Sequence, residues 1–253
     1  MVRAYGNPPY TAALLHGGPG AQGSLACLAQ ELGKTHGVLE PIQSRSTVQG
    51  LLDELEEQLA CYETKHLTLV GHSAGALLAI LYAAQHQKQV HQLVLVGCPP
   101  LKDDYKDELL RLRCLRLSPD EQAELEAIVR QADPTPDTLE RLEALTHKTD
   151  DFETDPTYDN PLAVFDAKQY QCIWPALANM RRGGVFLRAL QQIDCRIVVL
   201  HGEHDPHPLR GVTHPLADAA CDFVTCVLPM CGHSPYSEKH AKEPFVKMLE
   251  DLL

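Results

Sequence analysis

Short apolar runs alternate along this chain with longer stretches of helical periodicity. Thr11-Ala-Ala-Leu-Leu15 predicts a buried strand, the glycine-rich His16–Gly20 a turn, and Ser24–Leu32 a helix. Gly37-Val-Leu39 reads as a short strand. Between Thr47 and Tyr62, Leu51, Leu52, Leu55 and Leu59 recur on one face, as an amphipathic helix requires. Leu67–Val70 predicts a strand, Ala74–Gln87 a helix, and Leu93–Val96 a strand ended by Gly97 and Pro99-Pro100. Such alternation predicts an α/β fold, a mostly parallel sheet covered by helices on both faces.

The pattern changes after Pro100. From Leu101 to Leu190 there is no strand signal but several helix starts. Ser118-Pro-Asp-Glu121 is a capping box with proline at the first helical position, and Thr135-Pro136 repeats the device before Leu139–Leu145. Asp and Glu outnumber Lys and Arg here, so this segment has an acidic surface. Strand signals resume at Arg196–Leu200 and Phe223–Leu228, and a helix is expected from Ser237 to Leu253. The architecture that follows is one α/β core, residues 1–100 and 190–253, interrupted by a helical insertion over 101–189.

Composition narrows the partners. The formal charge of −12 opposes nucleic acid and anionic membrane surfaces. No run approaches the ~20 apolar residues that span a bilayer. Met1–Tyr10 lacks the apolar centre of a signal peptide, which makes a cytoplasmic location the default expectation. Nine cysteines are scattered without a C-x-x-C, which predicts reduced thiols packed as small hydrophobes.

Four loops carry candidate chemistry. Gly71-His-Ser73-Ala-Gly75 places a G-x-S-x-G between a predicted strand and a predicted helix. A serine on that turn projects its hydroxyl above the sheet, and the helix after it aims free amides at developing negative charge. Two donors are needed for an oxyanion. The Ala74 amide is one candidate and the Gly18 amide the other, with Gly17 second. Asp205, after the strand at Arg196–Leu200, can orient a histidine; Glu203 is its rival. His233 lies after the last strand and suits the general base. His72, beside Ser73 on a tight turn, points elsewhere and is read as structural; His16 is read as a brace for its loop. His201, His204 and His207 surround Asp205 in sequence without a metal-ligand spacing, so no metal is expected. His204 and His207 are candidates for substrate contact, as is Trp174 in the insertion.

The order Ser73, Asp205, His233 resembles that of the α/β-hydrolase superfamily, and His16–Gly20 is similar to the loop of its proline iminopeptidase-like branch. The insertion falls where that branch carries a helical cap. This resemblance implies a serine hydrolase acting on an ester or amide of a small molecule, without a cofactor; it leaves the oligomeric state open. An aminopeptidase is the first alternative, with Asp150, Asp151, Glu153 and Asp155 available to a substrate ammonium. A hydrolase-fold binding protein without turnover is the second. The chain departs from the branch at Ala74, where tryptophan is usual, and at Pro206, where some relatives have glutamate. A first strand beginning near Tyr10 also omits the antiparallel pair with which such folds usually open.

Overall fold

Val2-Arg-Ala-Tyr5 forms a strand, β1, in the computed structural model, which describes all residues except 63, 65, 132 and 133. Next come β2 (Tyr10–Leu15), a two-residue β3 (Ala21–Gln22), α1 (Ala26–Leu32) and β4 (Gly37–Pro41). The chain continues through α2 (Val48–Ala60), β5 (Leu67–His72), α3 (Ala74–Gln85) and β6 (Val90–Val96). Helices α4 (Lys106–Cys114), α5 (Pro119–Val129) and α6 (Pro136–Asp150) lead to β7 (Val164–Phe165). After α7 (Ala167–Arg182) and α8 (Val185–Leu190) come β8 (Arg196–Gly202), α9 (Arg210–Asp218), β9 (Phe223–Leu228) and α10 (Lys242–Leu252).

The seven long strands form one sheet in the order β1-β4-β2-β5-β6-β8-β9. All neighbours are parallel except β1 and β4, where Val2 lies opposite Pro41 and Tyr5 opposite Val38. The expectation that no antiparallel strand precedes Tyr10 is therefore corrected. β1 is an edge strand only half buried, so its apolar signal is weak. β7, in the stretch expected to hold no strand, pairs antiparallel with β3 and is too short to leave a pattern.

Side-chain alternation sorts the sheet onto two layers. Ala13, Leu15, Leu69, Leu93, Leu95, Ile197 and Val199 face α2, α3, α8 and α9. Ala12, Leu14, Val38, Val70, Val94, Val198 and Leu200 face α1 and α10. Helix α3 is apolar on every side because it is wrapped on every side. The segment between β6 and β8 has a small core of its own, Leu117, Leu125, Ile128 and Leu145. It is also stitched to the main layer, since Ile173, Leu177, Phe186 and Leu190 pack with α3. The capping box at Ser118 is present, and Thr135 accepts from the Thr138 amide.

Candidate active site

Parallel strands bring their C-terminal ends to one edge, and the loops after β2, β5, β6, β8 and β9 meet there. Ser73 stands between β5 and α3 with φ 53° and ψ −122°, a conformation that costs a non-glycine residue energy and is seen where function requires it. Close packing makes the turn possible. A Cβ on Gly75 would lie 2.3 Å from the Leu15 carbonyl oxygen, and one on Gly71 2.4 Å from that of Gly75. The Ser73 amide donates to Val96 O at 2.9 Å, fixing the serine against β6.

The loop after β2 presses on this turn. A Cβ on Gly17 would fall 3.0 Å from Ser73 Cβ. His16 Nδ1–H donates to Gly17 O at 3.0 Å, and burial pulls the His16 pKa down, so it braces the loop as a neutral ring. Among the described residues the amides of Gly18 and Ala74 have no acceptor. They remain available to an anion.

Asp205 and His233 are brought together. His233 Nδ1–H donates to Asp205 Oδ2 at 2.8 Å, and the carboxylate is fully buried. The pairing fixes the tautomer: with its proton on Nδ1, a neutral His233 keeps a lone pair on Nε2. Nε2 has no hydrogen-bond partner among the described residues and is not sealed from solvent. Burial works to lower the His233 pKa, but the Asp205 carboxylate outweighs it and the net shift is upward. Burial alone would raise the Asp205 pKa; the facing imidazoles of His233 and His207 carry it well below the usual carboxylate range. Gly97 gives His233 its room. Its φ is +52°, and a Cβ there would meet His233 Nδ1 at 2.9 Å. No hydrogen bond of the Ser73 hydroxyl is found among the described residues.

The remaining candidates fall in different places. Glu203 is exposed. His72 Nε2–H donates to His233 O at 3.0 Å, with burial lowering its pKa to about 3; it supports the histidine loop. His207 is buried, with Nδ1–H on Asp205 Oδ1. His204 is half buried and stacks on Phe152, ring centroids 4.4 Å apart. Trp174 stacks on Tyr170 and lies beside Arg181. Asp205, His207 and His233 hold possible ligand atoms within 4.8 Å of one another. Each Nδ1 already donates to one carboxylate oxygen, so a cation held through those nitrogens would displace both bonds.

Neither Glu238 nor Arg113 was visible as a site residue in the sequence. The buried Glu238 carboxylate accepts from the amides of Gly232, Phe152 and Glu153, joining the His233 loop to the segment after α6. Arg113 chelates Asp150, with Nε–Oδ1 at 2.9 Å, and Asp150 O accepts the His233 amide at 2.8 Å. The other acids expected to serve a substrate ammonium also have partners. Asp151 meets His147, Glu153 meets Lys239 and His240, and Asp155 accepts from Thr157.

The sequence pattern of the alpha/beta hydrolase family matches residues 13–247. No curated protein matches the chain in sequence. Solved structures share the fold. VinJ superposes with a TM-score of 0.71 at 22% identity, over 99% of this chain and 93% of its own. Proline iminopeptidase from Mycobacterium smegmatis follows at 0.66 and 18%, over 99% and 93%. A structure from a study of carboxylesterases of the thaumarchaeon Nitrososphaera gargenis gives 0.66 and 18%, over 100% and 93%. No helix among the described residues is long and apolar enough to cross a membrane.

Proposed function

The chain belongs to the alpha/beta hydrolase family, and from that premise we propose that it is a serine hydrolase, cleaving an ester or amide of a small molecule through an acyl-enzyme on Ser73. The observation that carries this is the Asp205–His233 hydrogen bond, which leaves Nε2 as an open base at the edge where Ser73 is held at φ 53°. Ser73 Oγ attacks the carbonyl carbon as its proton passes to His233 Nε2. The amides of Ala74 and Gly18 receive the oxyanion, with Gly17 the alternative donor. The tetrahedral adduct collapses, His233 protonates the leaving group, and water then repeats the sequence on the acyl-enzyme. In a ligand-free site the serine–histidine contact is often long and tightens when substrate binds.

Residues 101–189 act as a cap in this scheme, with His204 and Trp174 contacting substrate at its rim. Ester cleavage is favoured over aminopeptidase activity, because Asp150, Asp151, Glu153 and Asp155 are all engaged within the protein. The test is Ser73→Ala assayed with a fluorophosphonate probe, short p-nitrophenyl esters and prolyl-arylamides. We expect the parent to be labelled and to prefer the esters, and the variant to lose both labelling and hydrolysis. Labelling that survives Ser73→Ala refutes the nucleophile assignment; an intact parent that neither labels nor turns over supports a binding protein instead.

A further inference from the structure

Asp205 is shared. Its Oδ2 serves His233, while Oδ1 accepts two hydrogen bonds from a single other residue: His207 Nδ1–H at 2.7 Å and the His207 backbone N–H at 3.0 Å. The two imidazoles lie face to face, centroids 4.4 Å apart at 27°. Each ring's main chain is held by a further buried histidine. His201 Nε2–H donates to His207 O at 3.0 Å, as His72 Nε2–H does to His233 O. Four histidines thus surround one carboxylate in two matched pairs, and the hydrolytic scheme uses only one of them.

We propose that His207 is a positioning residue acting through Asp205: by occupying Oδ1 it leaves Oδ2 for His233 and limits how tightly that oxygen holds the His233 proton. This rests on the assignment of His233 as base. A carboxylate can turn about its Cβ–Cγ bond, and two donors on one oxygen oppose that turn. A donor on Oδ1 also draws off negative charge that would otherwise be concentrated toward His233. His207 can do this only while neutral, because a second imidazolium would compete with His233 for the same charge. Burial keeps it neutral, lowering its pKa to about 4. The other groups facing this cluster are His201, whose Nδ1 is 3.8 Å from Asp205 Oδ2, His72, the Arg113–Asp150 pair and the buried thiols Cys98 and Cys231. Burial lowers the pKa of His201 and His72 and raises that of both thiols, so all four remain uncharged near neutral pH.

Two substitutions separate the hydrogen bond from the stack. His207→Phe keeps a ring on His233 and removes the donor; His207→Asn sets an amide N–H where Nδ1 stood and removes the ring. The backbone donor survives in both, so the change is graded. The His233 pKa is read by NMR on protein carrying 13C-labelled histidine, and fluorophosphonate labelling is followed against pH. In His207→Phe we expect the His233 pKa to rise by roughly half to one unit and labelling near neutrality to fall by up to roughly three- to tenfold. His207→Asn should stay close to the parent in both. An unchanged or lower His233 pKa in His207→Phe overturns the proposal, as does an Asn variant that shifts as far as Phe. If the Phe variant does not fold, His207→Leu supplies the second non-donor. The NMR titration decides the matter even if Ser73 proves not to be the nucleophile.

Discussion

At the strand ends, Asp205, His201, His207 and His233 are all buried, and their polar atoms bond mainly to one another. In residues 101–189 the charged side chains instead pair largely at the surface, as Arg141 does with Glu124 and Lys148 with Glu121. Exposed pairs of this kind contribute little, because water and salt screen them. The helical segment is therefore held by a few deeper anchors: the β3–β7 pairing, the Gln169 side chain on Gln43 O and Arg45 O, and the carbonyl of Asp150, itself gripped by Arg113, on the His233 amide. Two kinds of order follow. The loops keep their hydrogen bonds shielded from water, whereas the helical segment can change its surface while keeping its attachment.

The largest expected effect lies in the loops. Asp205→Asn can present an amide N–H to His233 Nδ1, forcing the proton to Nε2 and removing the lone pair that the hydroxyl needs. Labelling and hydrolysis should fall by about 10⁴ with little change in melting temperature. A loss smaller than tenfold would mean that the carboxylate does not set the tautomer. In the parent, the proposed scheme has both rates rise with pH through a pKa above the usual histidine value, because as base the raised His233 would have to lose its proton.

Much of this is legible in the sequence alone. Parallel strands buried on both faces read as unbroken apolar runs, and the serine turn needs small residues at fixed places. The pairing of His207 with Asp205 is not legible there. Residues two apart in sequence face each other only because Asp205-Pro-His207 folds back on itself, and spacing does not encode that turn. Nor does sequence reveal that Arg113 reaches Asp150, 37 residues away. The expected helix from Ser237 begins instead at Lys242. Glu238 is drawn into an extended bridge with Thr154, where its carboxylate collects three amides, and helical backbone would forbid that bridge.

Acid should separate the two regions next. Burial lowers the pKa of His16, His72, His201 and His207, His72 to about 3 and His207 to about 4. In the unfolded chain these rings take up protons near pH ~6.5, so below that value the unfolded state binds more protons. Their stabilisation is complete above pH ~6.5 and is lost as pH falls toward about 4. His147 and His233, both raised, act in the opposite sense: their contribution is full below the unfolded value and is lost as pH rises through their folded values. Below pH ~6.5 the two raised rings are protonated in both states and drop out, so the lowered rings, His72 and His207 foremost, predict a loss of several kcal/mol between about pH 6.5 and 4, each pH unit being worth about 1.4 kcal/mol per ring. Denaturant midpoints measured across that window should fall with pH. A flat profile would mean that these rings are hydrated in solution.

The smallest effect is expected where the helical segment is anchored. Arg113→Met leaves the Asp150 carboxylate mostly buried without its guanidinium, and the arginine side chain is one-fifth exposed (19%), so screening reduces the penalty. A loss of about 2 kcal/mol is expected, below the range for a fully enclosed pair. Because Asp150 O still accepts the His233 amide, labelling should change only a few-fold, while KM for bulky esters should move further as the segment loosens. Adding Asp150→Leu removes the stranded charge and should recover much of the stability without restoring KM. If Arg113→Met instead lowered labelling as far as Asp205→Asn, the helical segment would be part of the reactive machinery, and the contrast between the two regions would fail.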